Sequence, residues 1–132
     1  MKLLGLDIGQ RRIGVAIADG EVIGSGETIV YNTLSDAIGQ VIGVIRAENI
    51  EKIVIGLPEG NQQSEDVVRS FAMDLNKQLE LEIVFTNEAM TSKEAERMMR
   101  GAKNDPRSEK YKQETDRISA KLILEQYIKE QN

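Results

Sequence analysis

The chain contains no cysteine, no histidine and no tryptophan. Without cysteine there is no disulfide framework and no thiolate metal site. Without histidine there is no Ser-His or Cys-His nucleophile pair, no His-ligated zinc and no imidazole general base. Acid–base chemistry is left to carboxylates, Lys, Tyr or metal-bound water. Two Phe and three Tyr leave little surface on which bases could stack. No apolar run approaches the ~20 residues of a membrane span. The start, Met1-Lys2-Leu3-Leu4, leads straight into a strand that carries Asp7, unlike a signal peptide. A cytoplasmic protein with no membrane partner is expected.

The 132 residues, 40% apolar and 30% charged, suit one folded domain spanning 1–132. A net charge of −5 argues against a bulk electrostatic grip on nucleic acid. The charge is uneven, however. Between Arg97 and Lys112 stand six basic residues (Arg97, Arg100, Lys103, Arg107, Lys110, Lys112) against the two acids Asp105 and Glu109. Arg11 and Arg12 make a second basic point. Taken alone, such clusters read as solvated helix ends and loops.

Residues 2–7 and 13–18 read as strands joined by a short turn, Gly9 to Arg12. Asp19-Gly20 is a hairpin signal, and Val22 to Tyr31 reads as a third strand with a bend at Gly24 and Gly26. Leu34, Ile38, Val41, Ile42 and Ile45 recur at helical spacing, and Thr33 or Ser35 can cap that helix. Ile53 to Leu57 is a continuous apolar strand, as in a sheet covered on both faces, and Pro58 ends it. After a polar loop from Glu59 to Gln63, Ser64 is the expected cap of a second helix with Val67, Val68, Phe71, Leu75 and Leu79 inside. Leu81 to Phe85 is a fifth strand. A helix from Lys93 to Arg100 is stopped by Gly101. Residues 103–112 read as a loop. A last helix runs from about Gln113 to Ile128, with Ile118, Leu122 and Ile123 apolar. Right-handed crossovers then give an α/β fold with a mixed five-stranded sheet, order 3-2-1-4-5, and helices on both faces.

Asp7 lies inside the central strand, where an uncompensated carboxylate is costly. Glu88 follows the fifth strand, and Asp116 lies early in the last helix. Each alone reads as a turn, cap or dipole-compensating residue. The topology brings them together, with the small Ser119 and Ala120 letting the last helix approach the sheet. Three carboxylates at one point repel each other unless a cation joins them. Oxygen-only ligands select hard ions, Mg²⁺ or Mn²⁺. Two such ions can activate water and stabilise the leaving oxygen of a phosphodiester. Asp7, Glu88 and Asp116 are therefore the candidate catalytic and metal-binding set.

Leu6-Asp7-Ile8-Gly9, Arg12-Ile13-Gly14-Val15-Ala16, Ile53 to Pro58, Asn87-Glu88, Thr91 to Arg97 and Thr115-Asp116 come in an order that resembles the YqgF-type Holliday-junction resolvases. These are also described as pre-16S ribosomal RNA nucleases. The resemblance covers nearly the whole chain and implies a ribonuclease H-like fold, with Asp7, Glu88 and Asp116 as the acidic set. It implies nucleic acid as partner, either precursor ribosomal RNA (in ribosomal particles) or branched DNA, for a monomer or weak dimer. Arg12 matches an Arg expected to meet phosphate or to orient the turn, and the basic stretch 97–112 matches a region expected near nucleic acid. The family pattern Asp-Glu-Arg is replaced by Asn87-Glu88-Ala89, a loss expected either to weaken phosphate binding or to relocate it to Arg11 or Arg97.

Two other readings compete. One is a non-catalytic binder of nucleic acid or ribosomes, favoured by the net acidity and opposed by the intact acidic set. The other is an ATP-binding protein of the actin and sugar-kinase type, suggested by Asp7-Ile8-Gly9 before Gly14-Val15-Ala16. Such proteins close two domains on the nucleotide, and this chain is expected to have one.

Overall fold

The computed structural model describes residues 1–24, 26–58, 60–87, 95, 97–99 and 107–131. Strands β1 (Lys2–Ile8) and β2 (Arg12–Asp19) pair antiparallel from Lys2↔Asp19 to Ile8↔Ile13. The far edge of β2 is shared by β3 (Val22–Ile23) and β4 (Glu27–Val30). Together they are the expected third strand, interrupted between Gly24 and Gly26. At Gly26 a Cβ would stand 2.4 Å from the Val15 carbonyl oxygen, so the chain passes too close there for a side chain. On the other side of β1 lie β5 (Lys52–Leu57) and then β6 (Glu82–Asn87), both parallel to their neighbour. With β3 and β4 counted as one interrupted strand, the order is the expected 3-2-1-4-5.

Strand side chains alternate between faces. Leu4, Leu6, Ile8, Ile13, Val15, Ile53 and Ile55 meet α1 (Leu34–Glu48) and α2 (Gln62–Gln78) in the larger core. Leu3, Ala16, Ala18 and Val54 meet Ala120, Ile123 and Leu124 of α3 (Glu109–Gln131) on the opposite face. Burying a side chain such as Phe71 or Leu75 stabilises by roughly 1.5–3 kcal/mol, so the two layers hold the sheet from both sides. Asp7 has the parity of Leu3 and therefore faces α3.

Thr33 caps α1, its Oγ1 accepting from the Asp36 N–H at 3.1 Å, and left-handed Asn49 (φ 56°) ends the helix. Several sequence expectations are corrected. Asn61, not Ser64, caps α2: its side-chain oxygen accepts from the Ser64 N–H at 3.1 Å, so the helix starts inside the supposed polar loop. Val67 (49% exposed) and Leu34 (44%) face outward, because the buried stripes run through Val68, Phe71, Ala72 and Leu75 and through Ala37, Ile38, Val41, Ile42 and Ile45. The last helix begins at Glu109, within the supposed loop 103–112. Ser108 starts it, its Oγ accepting from the Tyr111 N–H at 3.2 Å and its carbonyl from the Lys112 N–H at 3.1 Å. The buried stripe of α3 is Ser119, Ala120, Ile123 and Leu124, while Ile118 and Leu122 are half-buried. The helix expected over 93–100 lies mostly outside the described residues.

Candidate metal centre

Asp7 is the penultimate residue of β1 and pairs with Gly14 of β2. Asp116 comes from α3, which crosses the sheet directly above Gly14. A Cβ on Gly14 would stand 2.0 Å from the Asp116 carbonyl oxygen, so only glycine lets the helix sit this close. Gly5 repeats the device further along, facing Ala120 and Leu124. With α3 starting at Glu109, Asp116 lies in its third turn. That is beyond reach of the N-terminal dipole, and the dipole-compensating reading falls away.

Arg12, the first residue of β2, donates from Nε to Asp116 Oδ2 at 2.7 Å. Its Nη1 lies 3.9 Å from Glu109 Oε2. Glu109 and Asp116 are seven residues apart on α3 and so share a face. The side chains of Arg12 and Asp116 are 27% and 21% exposed, so the pair is only partly screened by water. Even so, the Asp116 carboxyl is held above its ordinary value. Burial is the main cause, and the charges of Asp7 and Glu109 push the same way, outweighing the lowering by Arg12. The charge of Asp7 thus acts on Asp116 as a like charge, and the Arg12 guanidinium does not fully offset it and burial.

The turn before Arg12 is braced. The Gly9 N–H donates to the Arg12 carbonyl at 2.9 Å and the Tyr31 N–H to the Arg11 carbonyl at 3.1 Å. The Tyr31 hydroxyl donates to the Gly9 carbonyl, and burial raises the pKa of that phenol. A cavity of about 320 Å³ is lined by Gly9, Gln10, Arg11, Arg12 and Asp116.

Glu88 lies outside the described residues, as do Arg100 and Lys103. Among the described residues no three acidic side chains are close enough to hold a metal ion. The two that are described suit a hard divalent cation: both are carboxylates on one sheet face, and burial leaves Asp116 short of positive charge. A further polar group shares this face. Thr86 of β6 has the parity of Glu82, whose partner Lys52 reaches Tyr127 of α3 at 2.7 Å. Thr86 is 7% exposed, and its hydroxyl has no hydrogen-bond partner among the described residues. Sequence inspection missed Glu109, Tyr31 and Thr86. The seven-residue spacing of Glu109 from Asp116 would have revealed the first, had the helix start been placed at Ser108.

Arg11, Arg97, Arg107, Lys110 and Lys112 are exposed. Lys110 and Lys112 lie in the first turn of α3, beside Glu109 and hence at the Arg12 end of the centre. No helix among the described residues is long and apolar enough to cross a membrane.

A family model described as RuvX: Holliday junction resolvase matches residues 1–130. The chain belongs to the RuvX family. Curated relatives include a “Putative pre-16S rRNA nuclease” of Syntrophus aciditrophicus (strain SB), 36% identical over 135 residues, covering 97% of this chain and 88% of that protein. One of the same name from Synechococcus sp. is 37% identical over 134 residues, covering 97% and 89%. Among solved structures, T. thermophilus RuvC in complex with Holliday junction substrate superposes with a TM-score of 0.60 at 14% identity, covering 93% of this chain and 92% of that one. The yeast mitochondrial Holliday junction resolvase Ydc2 gives 0.57 at 9% identity, covering 96% and 77%. At such identities these two structures establish the fold alone, which is ribonuclease H-like. The RuvX family assignment rests on the sequence matches.

Proposed function

We propose that this RuvX protein hydrolyses phosphodiester bonds of nucleic acid with divalent metal ions, and that its substrate is the precursor of 16S ribosomal RNA, met in ribosomal particles. The observation that carries this reading is the pairing of Asp7 and Asp116, far apart in sequence, on one sheet face beside Arg12. The names of relatives above 30% identity favour RNA over junction DNA as substrate.

Asp7 and Asp116, with Glu88 as third ligand, would hold Mg²⁺ or Mn²⁺. When bound, such ions supply an activated water and charge stabilisation at the leaving oxygen. The chain's own residues do the rest. The braced turn 9–12 sets Arg11 and Arg12 at the mouth of the centre, where a phosphate can be held. A guanidinium suits this, since its fork matches two phosphate oxygens. Arg97, Arg100, Lys103, Arg107, Lys110 and Lys112 then follow the nucleic-acid backbone, giving local positive charge on an acidic protein. With few aromatics and no base-reading motif, recognition is by backbone and shape.

The test is cleavage of labelled pre-16S fragments, single-stranded RNA and a four-way DNA junction, with Mg²⁺, Mn²⁺ or chelator, by the native protein and Asp7→Asn. Precursor cleavage that needs both metal and Asp7 is expected. Metal-dependent cleavage that survives in Asp7→Asn refutes the site. Preference for the junction replaces the RNA reading with DNA resolution.

A further inference from the structure

Arg12 does not present its fork to Asp116. It touches the carboxylate through Nε, at 2.7 Å, while Nη1 points toward Glu109 at 3.9 Å. The guanidinium thus lies between a half-buried carboxylate that needs a cation and an exposed one that does not. Its backbone is pinned, because the Arg12 carbonyl accepts from Gly9 N–H and the neighbouring Arg11 carbonyl from Tyr31 N–H. Any rearrangement therefore falls to the side chain, which borders a cavity of about 320 Å³ that Asp116 also lines.

We propose that Arg12 is a stand-in cation, exchanged for the metal. In the structure it holds Asp116 and so limits the repulsion between Asp116 and Asp7. A divalent ion and a guanidinium on one carboxylate edge repel each other, so filling the metal centre displaces Arg12 from Asp116. Glu109, already within 3.9 Å, keeps the released guanidinium at the cavity mouth. There its two terminal nitrogens face outward to take a phosphodiester. One residue therefore serves two partners in sequence and makes the binding of metal and nucleic acid mutually favourable. By linkage, each must strengthen the other by the same factor. This rests on the metal reading given under Proposed function.

The experiment titrates Mn²⁺ calorimetrically into the native protein, Arg12→Gln and Asp116→Asn without nucleic acid, with far-UV circular dichroism and urea unfolding as checks of folding. Removing a charge-assisted bond that competes with the metal is expected to tighten Mn²⁺ binding about tenfold in Arg12→Gln. A short RNA should tighten Mn²⁺ binding to the native protein and leave that of Arg12→Gln nearly unchanged. A folded Arg12→Gln that binds Mn²⁺ no tighter than the native protein overturns the exchange while leaving the metal centre standing. If Mn²⁺ binds the native protein and Asp116→Asn alike, or binds neither, the metal reading itself falls, and the exchange with it. A readout on the unaltered protein does not depend on whether the variant folds. In the arginine Nε–H nuclear magnetic resonance spectrum, saturating Mg²⁺ should move the Arg12 signal from hydrogen-bonded to solvent-exchanging, and an unmoved signal overturns the proposal.

Discussion

The seat of α3 on β2 can be tested with a single methyl group. A Cβ at Gly14 would stand 2.0 Å from the Asp116 carbonyl oxygen, where real Cβ atoms come no closer than 3.0 Å, so the helix must retreat by about 1 Å. The obstacle is backbone, which cannot turn aside as a side chain can. Overpacking of this kind costs about 1–3 kcal/mol. The functional loss should be larger than the stability loss suggests, because the displaced residue is Asp116 itself. A misplacement of about 1 Å at a reacting centre costs on the order of 100-fold in rate. Gly14→Ala is therefore expected to remain folded, with a lowered urea midpoint, weakened Mn²⁺ binding and roughly 100-fold slower cleavage. Two glycines serve as controls. Gly5→Ala meets chiefly the Leu124 side chain, 2.6 Å from its Cγ, and a leucine can change rotamer, so stability falls less and metal binding is kept. A methyl added at Gly39 in α1 has nothing within 4 Å of it, and Gly39→Ala should gain about 0.5–1 kcal/mol from helix propensity. A Gly14→Ala protein with the native urea midpoint and native Mn²⁺ affinity would refute the close seating of α3, and with it the placement of Asp116.

Three further outcomes follow from the same geometry. Thr86→Val removes a buried hydroxyl without a partner among the described residues and should raise metal-free stability by about 1 kcal/mol in urea unfolding; a loss of that size would mean the hydroxyl is satisfied. Tyr31→Phe deletes the bond to Gly9 and should cost about 1 kcal/mol. It should also soften the alkaline transition, because the buried phenol, raised above 10.0, stabilises the fold below that pH and loses this as pH rises through its folded value; an unchanged transition would show that Tyr31 stays exposed. Asp116 has its carboxyl raised above 3.8, so its ionised form costs the metal-free fold stability at neutral pH, a cost that disappears as pH falls through the raised value. Asp116→Asn should thus be the more stable protein at pH 7, with the gap closing in acid, and a less stable variant at pH 7 would mean that the bond to Arg12 outweighs burial.

The sequence alone determined the sheet and its order. Apolar runs of strand length, one Asp-Gly turn and right-handed crossovers leave few ways to arrange five strands, and period-two alternation then assigns Asp7 its face. The absence of His and Cys restricted the chemistry to carboxylates and a hard cation. Helix starts were less legible. Asn61 and Ser108 cap through side-chain contacts that compete with equally plausible caps nearby, and reading residues 103–112 as a loop drew the expected boundary of the last helix too late. That error placed Asp116 in a first turn, where it reads as an ordinary dipole partner. Only the tertiary structure decided which surface α3 would touch, because its seat depends on glycines on two different strands, Gly5 and Gly14, whose missing side chains matter only once a helix lies across them. Tertiary packing also decided the partner of Arg12. The resemblance gave it phosphate or the turn as partner, whereas the fold sets it against Asp116, since two residues 104 positions apart acquire a shared energy only when the chain between them has folded.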